Sequence, residues 1–156
     1  MNIRRMTVED VPAVVDLDKR SFSLPWPERT FRFEVTDNPA ARCWVYELDG
    51  IIAGMVVAWL LVDEAHIATI ATHPDYRGRG IGRELLMYVL RYMSREGAVS
   101  SFLEVRESNT TAREMYRKLG YEESGRRRKY YKDNDEDAIL MTLDGLERFK
   151  TEKLEG

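Results

Sequence analysis

A mixed α/β fold, with antiparallel strands first and a parallel pair at its centre, follows from three features of the sequence. One is Asp49-Gly50, set between two apolar, β-branched runs, the strongest short hairpin signal in the chain. Another is the order strand, glycine-rich turn, helix between His66 and Gly97. The third is a further strand and helix over residues 101–119. Strand, helix, strand, helix demands a right-handed crossover and a parallel pair of strands, with a ligand at their carboxyl ends. A length of 156 residues suits one domain with a proper core and is too short for two comfortable ones.

Each element can be justified in order. Residues 2–6 suit an edge strand, and Thr7-x-x-Asp10 is a capping signal for a helix through Val11, Val14, Val15 and Leu17, its regular part set slightly later by Pro12. Phe22-Ser23-Leu24-Pro25-Trp26-Pro27 breaks the chain. Pro27 then opens a second helix carrying Phe31 and Val35, which Asn38-Pro39 stops. The hairpin strands occupy residues 43–48 and 51–61, and residues 66–72 have the apolar, β-branched make-up of a buried strand. His73-Pro74-Asp75 turns the chain. Beyond the glycines, Ile81, Leu85, Tyr88, Val89, Tyr92 and Met93 recur at helical spacing, with Arg83, Arg91 and Arg95 facing outward and Gly97 ending the helix. Residues 101–106 alternate as a strand does. Ser108 or Asn109 caps a helix marked by Ala112, Met115, Tyr116 and Leu119 and closed by Gly120. Residues 126–131 and 138–143 read as a closing hairpin. The folded domain is expected over residues 1–145, with a charged, frayed tail over 146–156.

The chain carries 24 basic and 27 acidic residues, net −3, and so lacks the basic excess of a nucleic-acid binder. Any basic function must be local. Arg126-Arg127-Arg128-Lys129 beside Tyr130 and Tyr131 has the make-up either of a solvated hairpin or of a noncatalytic grip on single-stranded RNA. The single cysteine, Cys43, excludes an internal disulfide, fits a reducing compartment and reads as a small buried side chain. Arg4 and Arg5 meet Glu9 and Asp10 before any apolar segment forms, and the longest apolar run, residues 51–62, is too short to span a bilayer. A soluble, cytoplasmic protein without membrane partners is expected.

Arg77-Gly78-Arg79-Gly80-Ile81-Gly82 stands where unpaired backbone N–H groups at a helix start meet an anion. The Walker pattern is absent, and the glycines read GxGxG rather than the GxGxxG of dinucleotide sites, which disfavours a nucleoside triphosphate or NAD. A glycine turn with solvated arginines is the plain alternative.

Taken together, Arg77-x-x-Gly80-x-Gly82, Leu103-Glu104-Val105-Arg106-x-Ser108-Asn109 and Tyr116-x-x-Leu119-Gly120-Tyr121 resemble the GNAT acetyltransferases, and among them the RimI-like protein N-terminal acetyltransferases. Tyr130-Tyr131 and Glu136-Asp137-Ala138 extend the resemblance to most of the chain. It implies a GNAT fold, acetyl-CoA as cosubstrate with no metal, and a protein or peptide N-terminus as acceptor. For bacterial members that acceptor is the N-terminal alanine of a ribosomal protein, and archaeal relatives have a broader range. No nucleic-acid partner is expected, and a monomer is favoured although the sequence does not fix the oligomeric state. By the same resemblance Glu104 is the general base, acting through water, and Tyr116 the general acid toward departing coenzyme A. Ile70, Ala71 and Thr72 make main-chain contacts with pantetheine, Arg77, Gly78, Arg79, Gly80, Ile81 and Gly82 hold the pyrophosphate, and Asn109 adds a contact. Leu24, Pro25 and Trp26 with Tyr130 and Tyr131 hold the acceptor.

The chemistry of the residues bears on these assignments independently. An α-amine has a pKa of about 7.7–8.0 and a lysine about 10.4, so near pH 7.5 roughly a third of the former is neutral but only about a thousandth of the latter. A carboxylate acting through water suffices for the α-amine. With Leu103 and Val105 filling one strand face, Glu104 shares the other with Phe102 and Arg106, where it is a base or an ion-pair partner of Arg106. Tyr116 is an acid or a core tyrosine, and Asn109 serves equally as a helix cap. Glu64 and His66 are alternative bases. A small-amine or lysine acetyltransferase is the second reading of the same fold.

Overall fold

Asp49 and Gly50 both take positive φ, 52° and 78°, as a two-residue hairpin turn requires. They fold β2 (Ala41–Leu48) back on β3 (Ile51–Leu61). In the computed structural model, which describes residues 2–152 and 154, β1 (Ile3–Arg5) pairs with the outer edge of β2, and β4 (Glu64–Thr72) continues antiparallel from β3. Between β1 and β2 come α1 (Val11–Ser21) and α2 (Glu28–Thr36). After β4 follow α3 (Ile81–Arg95), β5 (Ser100–Arg106), α4 (Thr110–Leu119), β6 (Glu122–Tyr131) and β7 (Glu136–Asp144). The seven strands lie in the order β1-β2-β3-β4-β5-β7-β6, a mixed sheet with one parallel pair, as the sequence predicts. The closing hairpin places β7 against β5 and leaves β6 at the edge.

That parallel pair is short. β4 and β5 are in register only from Glu64↔Ser100 to His66↔Phe102; beyond this β4 keeps its bonds to β3 and β5 keeps its bonds to β7. The facing edges of residues 67–72 and 103–106 are left without a strand partner, and a cleft opens there.

Two apolar clusters sandwich the sheet. Leu85, Leu86, Val89, Leu90 and Met93 of α3 pack with Tyr116 and Leu119 of α4 on one face. Val11, Val14, Leu17 and Phe31 of α1 and α2 pack on the other. Both faces of β2 are therefore buried, with Trp44 and Tyr46 in the first cluster and Cys43 and Val45 in the second. Burial pushes the Cys43 thiol up to about 12, so it behaves as a small apolar side chain. A Cβ on Gly54 would lie 2.9 Å from Ile81 and 3.0 Å from Leu85, so the missing side chain lets the start of α3 press against β3.

Thr7 and Asp10 form the expected capping box, with the Thr7 N–H donating to Asp10 at 2.8 Å, but it closes a short 3₁₀ turn, Val8–Asp10, ahead of α1. The chain also remains packed past residue 145. Leu146 and Phe149 are buried in the first cluster, and Ser94 Oγ donates to the Leu146 carbonyl at 2.7 Å. The boundary at 145 is thus corrected: two apolar residues at i, i+3 spacing anchor a segment that otherwise looks like charged tail. The final part of that expected tail, residues 153, 155 and 156, lies outside the described residues. Among the described residues no helix is long and apolar enough to cross a membrane.

Candidate active site

Gly78 and Gly80 both have φ of 81°, and a Cβ at either would meet nothing within 4 Å. The left-handed backbone explains the glycines, and the open space above them lets a ligand reach the main chain. Gly80 is the N-cap of α3, and no side chain caps the helix, so the amides of Ile81, Gly82 and Arg83 are free for an anion. A Cβ on Gly82 would lie 3.5 Å from Thr72 Oγ1 and 3.7 Å from Met115 Sδ, which places this helix start between the end of β4 and the face of α4. Arg77 Nε donates to the Thr72 carbonyl at 3.2 Å, tying the turn to β4. Arg79 instead lies over the Tyr76 ring at 4.9 Å.

The cleft between β4 and β5 has a volume of about 1190 Å³. Ile70, Ala71 and Thr72 line it from β4, the Ala71 side chain also packing into the second apolar cluster. Arg77, Gly78, Gly80, Ile81 and Gly82 line the α3 end. Glu104 from β5, Asn109 and Tyr116 from α4 and its cap, and Leu24, Trp26 and Tyr131 complete the sequence-predicted residues that meet there. Arg79, Pro25 and Tyr130 do not line it. Tyr130 packs edge-on against Tyr131, 5.2 Å between ring centres, on the outer side. Asn109 Oδ1 accepts the Ala112 N–H at 3.2 Å, so it caps α4 while facing the cleft.

Glu104 has a partner that alternation does not reveal. Its Oε1 lies 3.6 Å from Nε2 of His66, whose ring stacks on Phe102 at 4.4 Å and meets Trp59 edge-on. His66 beside it holds the Glu104 carboxyl below the ordinary glutamate range; burial opposes this, and Arg127 adds a smaller pull. The Glu104–Arg106 ion pair does not form, because Arg106 is engaged with Asp133 and Glu136. Tyr116 is buried, and desolvation raises its phenol far above the usual tyrosine value. Burial likewise pushes Tyr131 up to about 12. Near neutral pH the site therefore holds a carboxylate and a protonated phenol on walls of one cleft.

Asp18 also lines this cleft and has no counterpart among the sequence candidates. It is 1% exposed, and its Oδ2 accepts the Trp26 N–H at 2.8 Å, which draws the loop before α2 onto α1. Burial raises its carboxyl. A signal existed: Asp18 falls four residues after Val14 and seven after Val11, on the apolar stripe of α1.

A glycine-capped helix start beside two parted parallel strands, with a carboxylate and a phenol facing the gap, defines a class. Residues 11–121 match the model of the acetyltransferase (GNAT) family, and the chain belongs to that family. It is similar to the ribosomal protein bS18-alanine N-acetyltransferase of Escherichia coli strain K12, 35% identical over 145 residues, spanning 90% of this chain and 95% of that one. A Bacillus subtilis protein provisionally named for the same activity is 38% identical over 139 residues, 89% and 92% of the two chains. The crystal structure of the ribosomal-protein-S18-alanine N-acetyltransferase from Escherichia coli matches with a TM-score of 0.84 at 33% identity, covering 91% and 92%.

Proposed function

We propose that this chain transfers the acetyl group of acetyl-CoA to the α-amino group at a protein N-terminus, with the N-terminal alanine of a ribosomal protein as its preferred acceptor. The observation that carries this reading is the meeting of Glu104 and Tyr116 in the cleft where β4 and β5 part. The names of the similar enzymes supply the acceptor.

The site fits acetyl-CoA. Free amides above Gly78 and Gly80 suit a pyrophosphate, and the unpaired edges of β4 and β5 suit the amides of pantetheine, which can bond to them as a strand would. Bound there, acetyl-CoA supplies an acetyl thioester. Ile70, Ala71 and Thr72 offer backbone groups along the β4 edge, Gly78 to Gly82 receive the phosphates, and Arg77 adds positive charge. Glu104, ionised, accepts the proton of the α-ammonium through an intervening water, leaving the amine lone pair free to attack. Tyr116, protonated, donates a hydrogen bond toward the leaving sulfur. Full transfer from a phenol raised by burial to a thiolate is uphill, so the hydrogen bond itself is the stabilising interaction. Leu24, Trp26 and Tyr131 flank the acceptor side.

The test is mass spectrometry of peptides incubated with acetyl-CoA. Peptides with a free N-terminal Ala or Ser should be modified at the α-amine, and peptides blocked at the N-terminus but carrying lysines should be poor substrates. Preferential lysine modification, located by fragmentation, overturns the reading in favour of a lysine acetyltransferase.

A further inference from the structure

Arg106 is the last residue of β5 and has no part in the roles above. Its guanidinium joins segments from both sides of the acceptor end of the cleft. Nη2 donates to Ser23 Oγ at 3.2 Å, in the connection between α1 and α2, and to both carboxylate oxygens of Asp133 at 3.0 Å, in the turn between β6 and β7. Nη1 donates to Asn134 Oδ1 at 3.2 Å and to Glu136 Oε1 at 3.3 Å. Ser23 and Asp133 are hydrogen-bonded to each other as well. The guanidinium carbon sits 4.0 Å from the centre of the Tyr131 ring, and Glu136 accepts the Ser108 N–H at 2.6 Å, linking the cluster to the start of α4.

This arrangement requires arginine. Only a planar fork with several donors reaches Ser23, Asp133, Asn134 and Glu136 at once while stacking on an aromatic ring. The side chains of Arg106, Asp133 and Glu136 are 21%, 24% and 14% exposed, so the charges are only partly screened by solvent. The segments it joins carry Leu24 and Trp26 on one side and Tyr131 on the other, the residues that flank the acceptor.

We infer that Arg106 is a positioning residue that clasps the α1–α2 connection to the β6–β7 turn and so holds the acceptor-binding walls in place before the peptide arrives. The identity of the acceptor rests on the function proposed above; the clasp rests on the contacts alone. Preorganised walls spare the peptide the ordering of two loops, so loss of the clasp appears in acceptor affinity rather than in the chemical step.

The experiment combines hydrogen exchange on the full chain with steady-state kinetics for Arg106→Gln, Arg106→Lys, Asp133→Asn and the Arg106→Gln, Asp133→Asn double variant. Asp133→Asn should raise exchange at residues 22–26, across the cleft, as well as in its own turn. Arg106→Gln should raise the acceptor KM about tenfold, while kcat at saturating peptide and the acetyl-CoA Kd change much less. Arg106→Lys should recover only part of this, and the double variant should be little worse than Arg106→Gln, because both changes break one cluster. Exchange confined to the β6–β7 turn, or additive effects on KM, overturns the clasp. A lower acceptor KM in Arg106→Gln also overturns it, since the contact would then be a barrier to the peptide. Should Arg106→Gln fail to fold, Asp133→Asn in the exposed turn and Ser23→Ala carry both readouts. If wild type modifies no N-terminal peptide, the proposed function fails while the exchange result still decides the clasp.

Discussion

Glu104 was legible as a carboxylate in an otherwise apolar strand, but its environment was not. His66 precedes it by 38 positions and reaches it only through the His66↔Phe102 register of the parallel pair. Asp18 was marked only by its place on the apolar stripe of α1; its carboxylate accepts from the Trp26 backbone amide, so no partner side chain pointed to it. The ionisation states give a residue-scale prediction. With Glu104 held ionised, Glu104→Gln should lower kcat/KM most below the amine pKa and recover in part as solvent supplies neutral amine at higher pH. Tyr116→Phe should lower kcat with less effect on acceptor KM, and its defect should stay nearly constant over the same pH range, because a phenol raised by burial keeps its proton and the hydrogen bond it gives the leaving sulfur does not titrate. A pH–rate profile of thiol release from pH about 6.5 to about 9, with circular dichroism as the folding check, reads both. A variant that keeps near-wild-type rates throughout marks its residue as structural, and Glu64 or His66 becomes the next base to test.

Among the elements, those with local signals were readable: the Asp49-Gly50 turn, the Pro27 helix start, the Asn109 cap and the Gly120 close all act within a few residues of chain. The three-residue extent of the β4–β5 pairing was not, because the apolar run of β4, residues 67–72, reads as a fully paired strand although it is the part that β5 leaves. Leu146 and Phe149 escaped notice because only two apolar residues stand out in a charged segment. The α3 start carries the element-scale prediction. Gly80→Val puts a β-branched residue at φ 81°, costing about 1–3 kcal/mol of stability, and places its side chain over the amides proposed to receive the anion. Gly50→Val meets the same strain, with φ 78° and open space, far from the cleft. Both variants should melt earlier, but only Gly80→Val should lose acetyl-CoA affinity by calorimetry. Equal affinities in folded samples would separate the turn from cofactor binding.

At the scale of the whole molecule, the sheet is two half-sheets, β1 to β4 and β5 with β6 and β7, joined by three residue pairs. A ligand seated between the parted edges would bind the native state alone. At one hundred times its Kd it should add about 2.7 kcal/mol, or roughly 5–10 °C in melting temperature for a domain of this size. Exchange protection should gather on residues 67–72 and 103–106; a shift without protection there would place the cosubstrate elsewhere. The inner position of β7 has a consequence in time. β5, which carries Glu104, keeps one edge bare until β7 arrives, and β7 begins 30 residues after β5 ends. A ribosome making this chain must therefore release it through Asp144 before the wall bearing Glu104 is complete. Long-range pairing of this kind comes late in folding. A chain stalled short of Asp144 would carry the whole glycine turn and both candidate catalytic side chains, yet would lack the strand that sets one of them in place.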